Sequence, residues 1–188
     1  MLAMAVIILG GAPGVGKSSV LNEALKSVGE RPEFVNFADV MLEFLDTDDH
    51  DEIRKLPLEK QRKIQLRAAE KIAKIGKKRN LVVDTHYIIR TPAGFLPGLP
   101  FDVIRELEPR LLIFVQCPAK ELIARRDGDP SRKRDVESAE DLEKTFDMNR
   151  NFVAAYAALT GAVVKIVDNR AGKLKETGKD LAEVLNSL

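Results

Sequence analysis

The sequence predicts an α/β fold, a single domain built on a mostly parallel sheet with helices on both faces. Three observations lead there. Short apolar runs rich in β-branched residues recur along the chain. Amphipathic helical segments lie between them, and the first run leads straight into a glycine-rich turn followed by another helical segment. Alternating strand and helix signals require crossover connections, which give parallel strands covered on both sides. A length of 188 residues suits one domain with a sizeable core, and no internal repeat, low-complexity segment or linker-like stretch divides it.

Val6–Leu9 is a continuous apolar run, as a strand buried on both faces requires. Val20, Leu21, Ala24, Leu25 and Val28 then recur at helical spacing, and Gly29 marks a helix end. Phe34–Phe37 reads as the second strand, and Asp39–Leu45 as a helix running into a solvated acidic stretch, Asp46–Glu52. Leu58–Ile75 carries Ile64, Ala68, Ala69, Ile72 and Ile75 along one helical stripe. Leu81–Asp84, Leu111–Val115 and Val163–Val167 are the third, fourth and fifth strands. Between the third and fourth, Thr91–Pro100 is rich in Pro and Gly and reads as a shaped loop. Ala139–Leu159 has a long helical pattern, and Gly178–Leu188 can form a short closing helix.

Lys+Arg 30 against Asp+Glu 29 leaves a net charge of +1, so nothing global points to nucleic acid or a membrane surface as partner. No stretch approaches the ~18–20 apolar residues that a membrane span needs. The run Met1–Leu9 has no basic leader and flows into the glycine-rich turn, so it reads as a strand and not as a targeting segment. A single cysteine, Cys117, can form neither an internal disulfide nor a zinc cage alone. It fits a reducing compartment, most simply the cytoplasm, and beside Pro118 it reads as a small buried hydrophobe.

The chemistry is announced at residues 11–18. Gly11, Ala12, Pro13, Gly14, Val15, Gly16, Lys17 and Ser18 satisfy the pattern G-x-x-x-x-G-K-[ST], a P-loop, and Ser19 continues into the helix that follows. The glycines let successive backbone N–H groups turn inward onto a phosphate, and the helix adds the positive end of its dipole. Lys17 would bridge the β- and γ-phosphates of a nucleoside triphosphate such as ATP, and the Ser18 hydroxyl would ligate Mg²⁺. Asp84 ends the run Leu81-Val82-Val83, where P-loop enzymes place a carboxylate that organises Mg²⁺, here through water. A strand-end acid capping a turn is the other reading of Asp84.

A P-loop does not say what receives the phosphate. Transfer to a second nucleotide brings anionic groups together, so several cations should converge on them. Arg54, Arg90, Arg125, Arg126, Arg132, Arg134 and Arg150 are suitably distributed. The densest run, Arg125 to Asp135, reads either as a mobile lid that closes arginines over the phosphates or as a solvated loop of alternating charge. Arg150, one turn from Phe146 and near Val153, is placed to point inward. From the residues alone three functions stay open: a kinase acting on a second nucleotide, a kinase for another small molecule, and an NTP-hydrolysing regulatory switch.

GAPGVGKSS at 11–19, VNFADVMLE at 35–43, VVDTH at 82–86, RTPAGFLPGLP at 90–100, RRDGDPSRKRD at 125–135 and MNR at 148–150 resemble the archaeal type of adenylate kinase, a short-lid branch of the nucleoside-monophosphate kinases. The likeness covers nearly the whole chain. It implies the reaction ATP·Mg + AMP ⇌ 2 ADP on a three-layer α/β/α P-loop fold with a five-stranded parallel sheet in the order 2-3-1-4-5. It also implies a helical AMP-binding insertion at about 39–72 and a short lid at about 126–138. On the AMP side it points to Asp39 and Arg54, with Arg90 between the two nucleotides. Arg126 and Arg134 correspond to the lid arginines and Arg150 to an arginine on the next helix. The resemblance further implies a homotrimer.

The chain departs from the bacterial pattern of that family, with no long lid insertion and no zinc-binding cysteines. The run after the third strand is Asp84-Thr85-His86-Tyr87-Ile88-Ile89-Arg90, so the groups that read the AMP base do not carry over. Phe95 and Leu96 would either wall that pocket or pack on the core. His50 and His86 are left out of the chemistry, because phosphoryl transfer between nucleotides needs no general base.

Overall fold

The computed structural model describes residues 5–128 and 137–188. Five strands form one parallel sheet: β1 (Val6–Gly10), β2 (Glu33–Asn36), β3 (Leu81–Thr85), β6 (Leu111–Gln116) and β7 (Val163–Asp168), in the order β2-β3-β1-β6-β7. Leaving aside a separate hairpin, this is the expected 2-3-1-4-5. All five residues of β1 are buried, which requires a covering layer on each face. Register places Leu9 beside Asp84 and beside Ile113, so the ends of β1, β3 and β6 come level at one edge.

The helices are α1 (Lys17–Ala24), α2 (Phe37–Leu42), α3 (His50–Lys55), α4 (Leu58–Gly76), α5 (Phe101–Leu107), α6 (Ala119–Asp127), α7 (Ala139–Thr160) and α8 (Leu174–Asn186). On α4 the stripe Ile64, Ala68, Ala69 and Ile72 is buried as its spacing requires, against α2 and α5. α8 packs on α1 and begins earlier than Gly178, which lies inside the helix against Glu23 of α1.

The acidic stretch after α2 is not all solvated coil. The Asp49 side chain accepts from the Asp51 N–H at 2.9 Å and starts α3, whose first turn holds Asp51 and Glu52. Acids at a helix N-terminus are favoured by the dipole, so the same charges that read as solvation also nucleate a helix.

A second difference lies in 91–100. Where a shaped loop is expected, β4 (Ile88–Thr91) and β5 (Gly94–Pro97) form an antiparallel hairpin with Arg90 opposite Phe95. Thr91 Oγ1 donates to Gly94 O at 3.0 Å across its turn. Its base is pinned to the core. Tyr87 is fully buried with its hydroxyl 3.0 Å from the carbonyl oxygens of both Ile8 and Ile113. The Tyr87 carbonyl in turn accepts from Gly98 N and from the Tyr156 hydroxyl, each at 2.9 Å.

Candidate active site

The sheet brings the C-terminal ends of its parallel strands to one edge, and in such sheets ligands bind outside that edge. Residues 11–16 fold there into a tight turn in which Val15 N donates to Ala12 O at 3.3 Å. Gly16 precedes α1 with φ 91°, a conformation that penalises any Cβ, and a Cβ there would also stand 2.3 Å from Asn169 Nδ2. α1 starts at Lys17 with no side-chain cap and no acid in its first turn. Its leading N–H groups are therefore available to an anion.

Lys17 Nζ donates to Gly11 O at 3.2 Å and stands 3.7 Å from Asp84 Oδ1. That second distance is too long for a hydrogen bond, and Asp84 Oδ1 is buried with none. Burial raises the Asp84 carboxyl above the ordinary aspartate range, Lys17 opposes that rise, and the charge of Asp39 adds to it. A buried carboxylate oxygen without a hydrogen bond, beside a phosphate loop, fits a hydrated hard cation, and Asp84 and Ser18 are the oxygen donors that would hold one. Among the described residues no group of three or more His, Cys, Asp or Glu forms a separate metal cage.

The P-loop is braced from behind by residues that the motif does not include. Val15 O accepts from Asn169 Nδ2 at 2.8 Å and from Arg125 Nη1 at 3.2 Å. Arg125 Nη2 donates to Asn169 O at 2.7 Å and to Glu121 Oε2 at 3.1 Å, and Ala171 N donates to that same oxygen at 2.7 Å. Arg125 is thus a structural strut. Asn169 was findable: it directly follows the last strand, at the sheet edge where ligand loops lie.

Arg126 reaches the front of the loop. Its Nε and Nη2 donate to Pro13 O at 3.1 and 2.9 Å, and its Nη1 donates to Glu137 Oε2 at 2.6 Å. Arg90, carried by the hairpin, donates from Nη1 to Glu137 Oε1 at 2.5 Å. The structure therefore brings Arg90 and Arg126 together at the P-loop tip. Glu137 carries no signal in the sequence beyond an acid next to a helix cap.

Arg150 sits elsewhere on the same edge. It donates to Gln116 Oε1 at the end of β6 and, at 2.5 Å, to Asp147 Oδ1. Gln116 in turn donates to Asp168 Oδ1 at 2.8 Å, at the end of β7. Asp39, in the first turn of α2, lies 3.2 Å from His50 Nε2 and lines a cleft of about 460 Å³ with Leu42, Glu43, Asp46, Thr47 and Asp48. Arg54 is carried by α3, and its side chain lies outside the described part of the molecule. Arg132 and Arg134 lie outside the described residues. Cys117 is buried, and burial pushes its thiol up, as suits a packing residue.

Residues 10–143 match the sequence family described as an AAA domain. The adenylate kinase of Methanopyrus kandleri is 46% identical over 189 residues, covering 97% of this chain and 98% of the relative. That of Methanocaldococcus jannaschii is 44% identical, covering 96% of this chain and 97% of the relative. Among solved structures, a shikimate kinase from Bacteroides thetaiotaomicron superposes with a TM-score of 0.64 at 16% identity, covering 97% of this chain and 99% of its own. That likeness speaks for the fold alone.

Proposed function

The chain belongs to the adenylate kinases, which convert ATP and AMP into two ADP, and from that premise we propose which of its residues carry the reaction. The carrying observation is the meeting of Lys17, Asp84, Arg126 and Arg90 around the P-loop at one sheet edge. Residues 11–19 cradle the ATP phosphates, with Lys17 on the β- and γ-phosphates. Arg126 and Arg90 take the phosphoryl group from either side, which is the charge stabilisation that this transfer needs. Arg150 and Arg134 complete the set of cations. Mg²⁺, held by Ser18 and through water by Asp84, would neutralise charge between the phosphates.

The segment at about 39–72 forms the AMP side, with Arg54 on its phosphate and Asp39 in the cleft of α2. The acidic lining of that cleft suits hydrogen-bond donors such as ribose hydroxyls, not phosphate. The lid expected at about 126–138 falls for the most part outside the described residues. The enzyme works in the cytoplasm, to which its one buried thiol is suited. It assembles as a homotrimer; the exposed apolar side chains Val163, Val164 and Ile166 on the edge strand β7, with Leu159, offer a face that association would cover.

The arginine assignment is tested by Arg90→Ala and Arg126→Ala, assayed for ADP formation from ATP and AMP. Each should lower kcat by about 10²-fold or more, the loss seen when one preorganised donor is removed from a developing charge. Wild-type kcat in both variants would remove these arginines from the reaction.

A further inference from the structure

Nothing in phosphoryl transfer calls for a carboxylate between two phosphate-binding arginines, yet Glu137 stands there. One carboxylate oxygen accepts from Arg90 at 2.5 Å and the other from Arg126 at 2.6 Å, and the side chain is only 19% exposed. Glu137 stands directly before the cap of α7. Ser138 caps α7, accepting from Asp141 N at 3.1 Å and donating to Asp141 Oδ2 at 2.8 Å, so Glu137 is held at the start of a 22-residue helix. Arg126 is fixed in turn on Pro13 of the P-loop. The bridge therefore joins three separate elements: the β4–β5 hairpin, α6 and the head of α7.

The charge arrangement makes the role specific. Two guanidinium groups brought to one partly buried point repel each other, and a single carboxylate offering one oxygen to each relieves that repulsion. A phosphate group has the same charge sign and also offers separate oxygens to separate arginines. The carboxylate and a phosphate would then compete for the same N–H groups.

We propose that Glu137 is a positioning residue that acts as a displaceable counterion. In the nucleotide-free enzyme it holds Arg90 and Arg126 together, and it yields their Nη1 donors to phosphate when substrates bind. This rests on the assignment of those two arginines to phosphate. The exchange keeps the cations gathered before substrate arrives and weakens the grip on ADP, which hastens its release.

The test is calorimetric titration of the full chain with ADP, alongside steady-state kinetics. Glu137→Gln keeps the shape and removes the competing charge. It should bind ADP about ten-fold more tightly, the scale of one charge-assisted hydrogen bond no longer surrendered. Its KM for AMP should fall and its kcat should fall with it, because product is held longer. Glu137→Asp, which keeps the charge, should stay within about three-fold of the parent affinity. A merely structural bridge predicts the opposite sign, with weaker ADP binding and a lower Tm in Glu137→Gln.

Arg126→Ala in the same titration separates the two ideas. If it does not weaken ADP binding, the arginine assignment falls and this proposal with it. If it does weaken binding while Glu137→Gln binds ADP no more tightly than the parent, the counterion role alone is overturned. Equal tightening in Glu137→Asp and Glu137→Gln would overturn it as well.

Discussion

Replacing Lys17 with alanine is expected to cut ADP formation by about 10³-fold or more, the scale of losing a cation from the phosphates in transit. The fold should survive, because among the described residues the Lys17 ammonium touches only Gly11 O at 3.2 Å and faces Asp84 at 3.7 Å. Circular dichroism should place Tm within about 4 °C of the parent, or ~1 kcal/mol in a chain of this size. More than a tenth of parental turnover in the variant would contradict the assignment.

Asp84→Asn in the same assays should also lose activity, but with the opposite sign on stability. Burial holds the Asp84 carboxyl above its ordinary range, so the folded chain takes up this proton before the unfolded chain does as pH falls. Ionised Asp84 therefore weakens the fold at neutral pH, and that penalty fades as pH falls through the raised folded-state value. Asparagine should raise Tm at pH 7, with an advantage that closes in acid. A site that gives up stability for a charge is what a metal-organising carboxylate requires.

The second large effect is on folding. Gly98→Ala would set a Cβ 1.8 Å from His86 O and 2.7 Å from His86 C, both backbone atoms that no rotamer change can move. Relief would break the Gly98 N–H to Tyr87 O bond and loosen the base of the hairpin. The expected loss is about 3 kcal/mol or more, combining overpacking with a broken buried hydrogen bond. Tm should fall by about 6–12 °C, since ~1 kcal/mol shifts a chain of this size by ~2–4 °C. Because β4 carries Arg90, kcat should fall as well. A variant with parental Tm would mean that this backbone crossing is looser than described.

How much of this was legible in advance depended on whether the signal was local. β1 and the P-loop were readable because an apolar run and a spaced set of glycines with Lys17 and Ser18 each carry their own physical requirement. Asp84 was legible as a strand-end acid, but its orphaned oxygen appears only once β3 is laid against β1. The hairpin at Ile88–Pro97 stayed hidden because Pro and Gly are turn signals first. What makes its strands pair is the anchoring of Tyr87 and Gly98 to residues far away in the chain.

The same holds for charges. Arg125 and Arg126 are neighbours in sequence, yet one braces Val15 from behind and the other grips Pro13 in front. A helix turn of about 100° per residue separates their roles, and no composition argument could assign them. Glu137 and Asn169 act through partners 11 to 154 residues away; Asn169 could be found only from its place directly after the last strand, and spacing offered nothing for Glu137.

One chain should hold two nucleotides, with their phosphates meeting at Lys17, Arg90 and Arg126. Inhibition by diadenosine pentaphosphate, titrated against each substrate in turn, tests it most directly. One inhibitor molecule should bind per chain, competitive with ATP and equally competitive with AMP. Competition with ATP alone would show that the P-loop binds its nucleotide without a second one facing it, and would contradict the site described above.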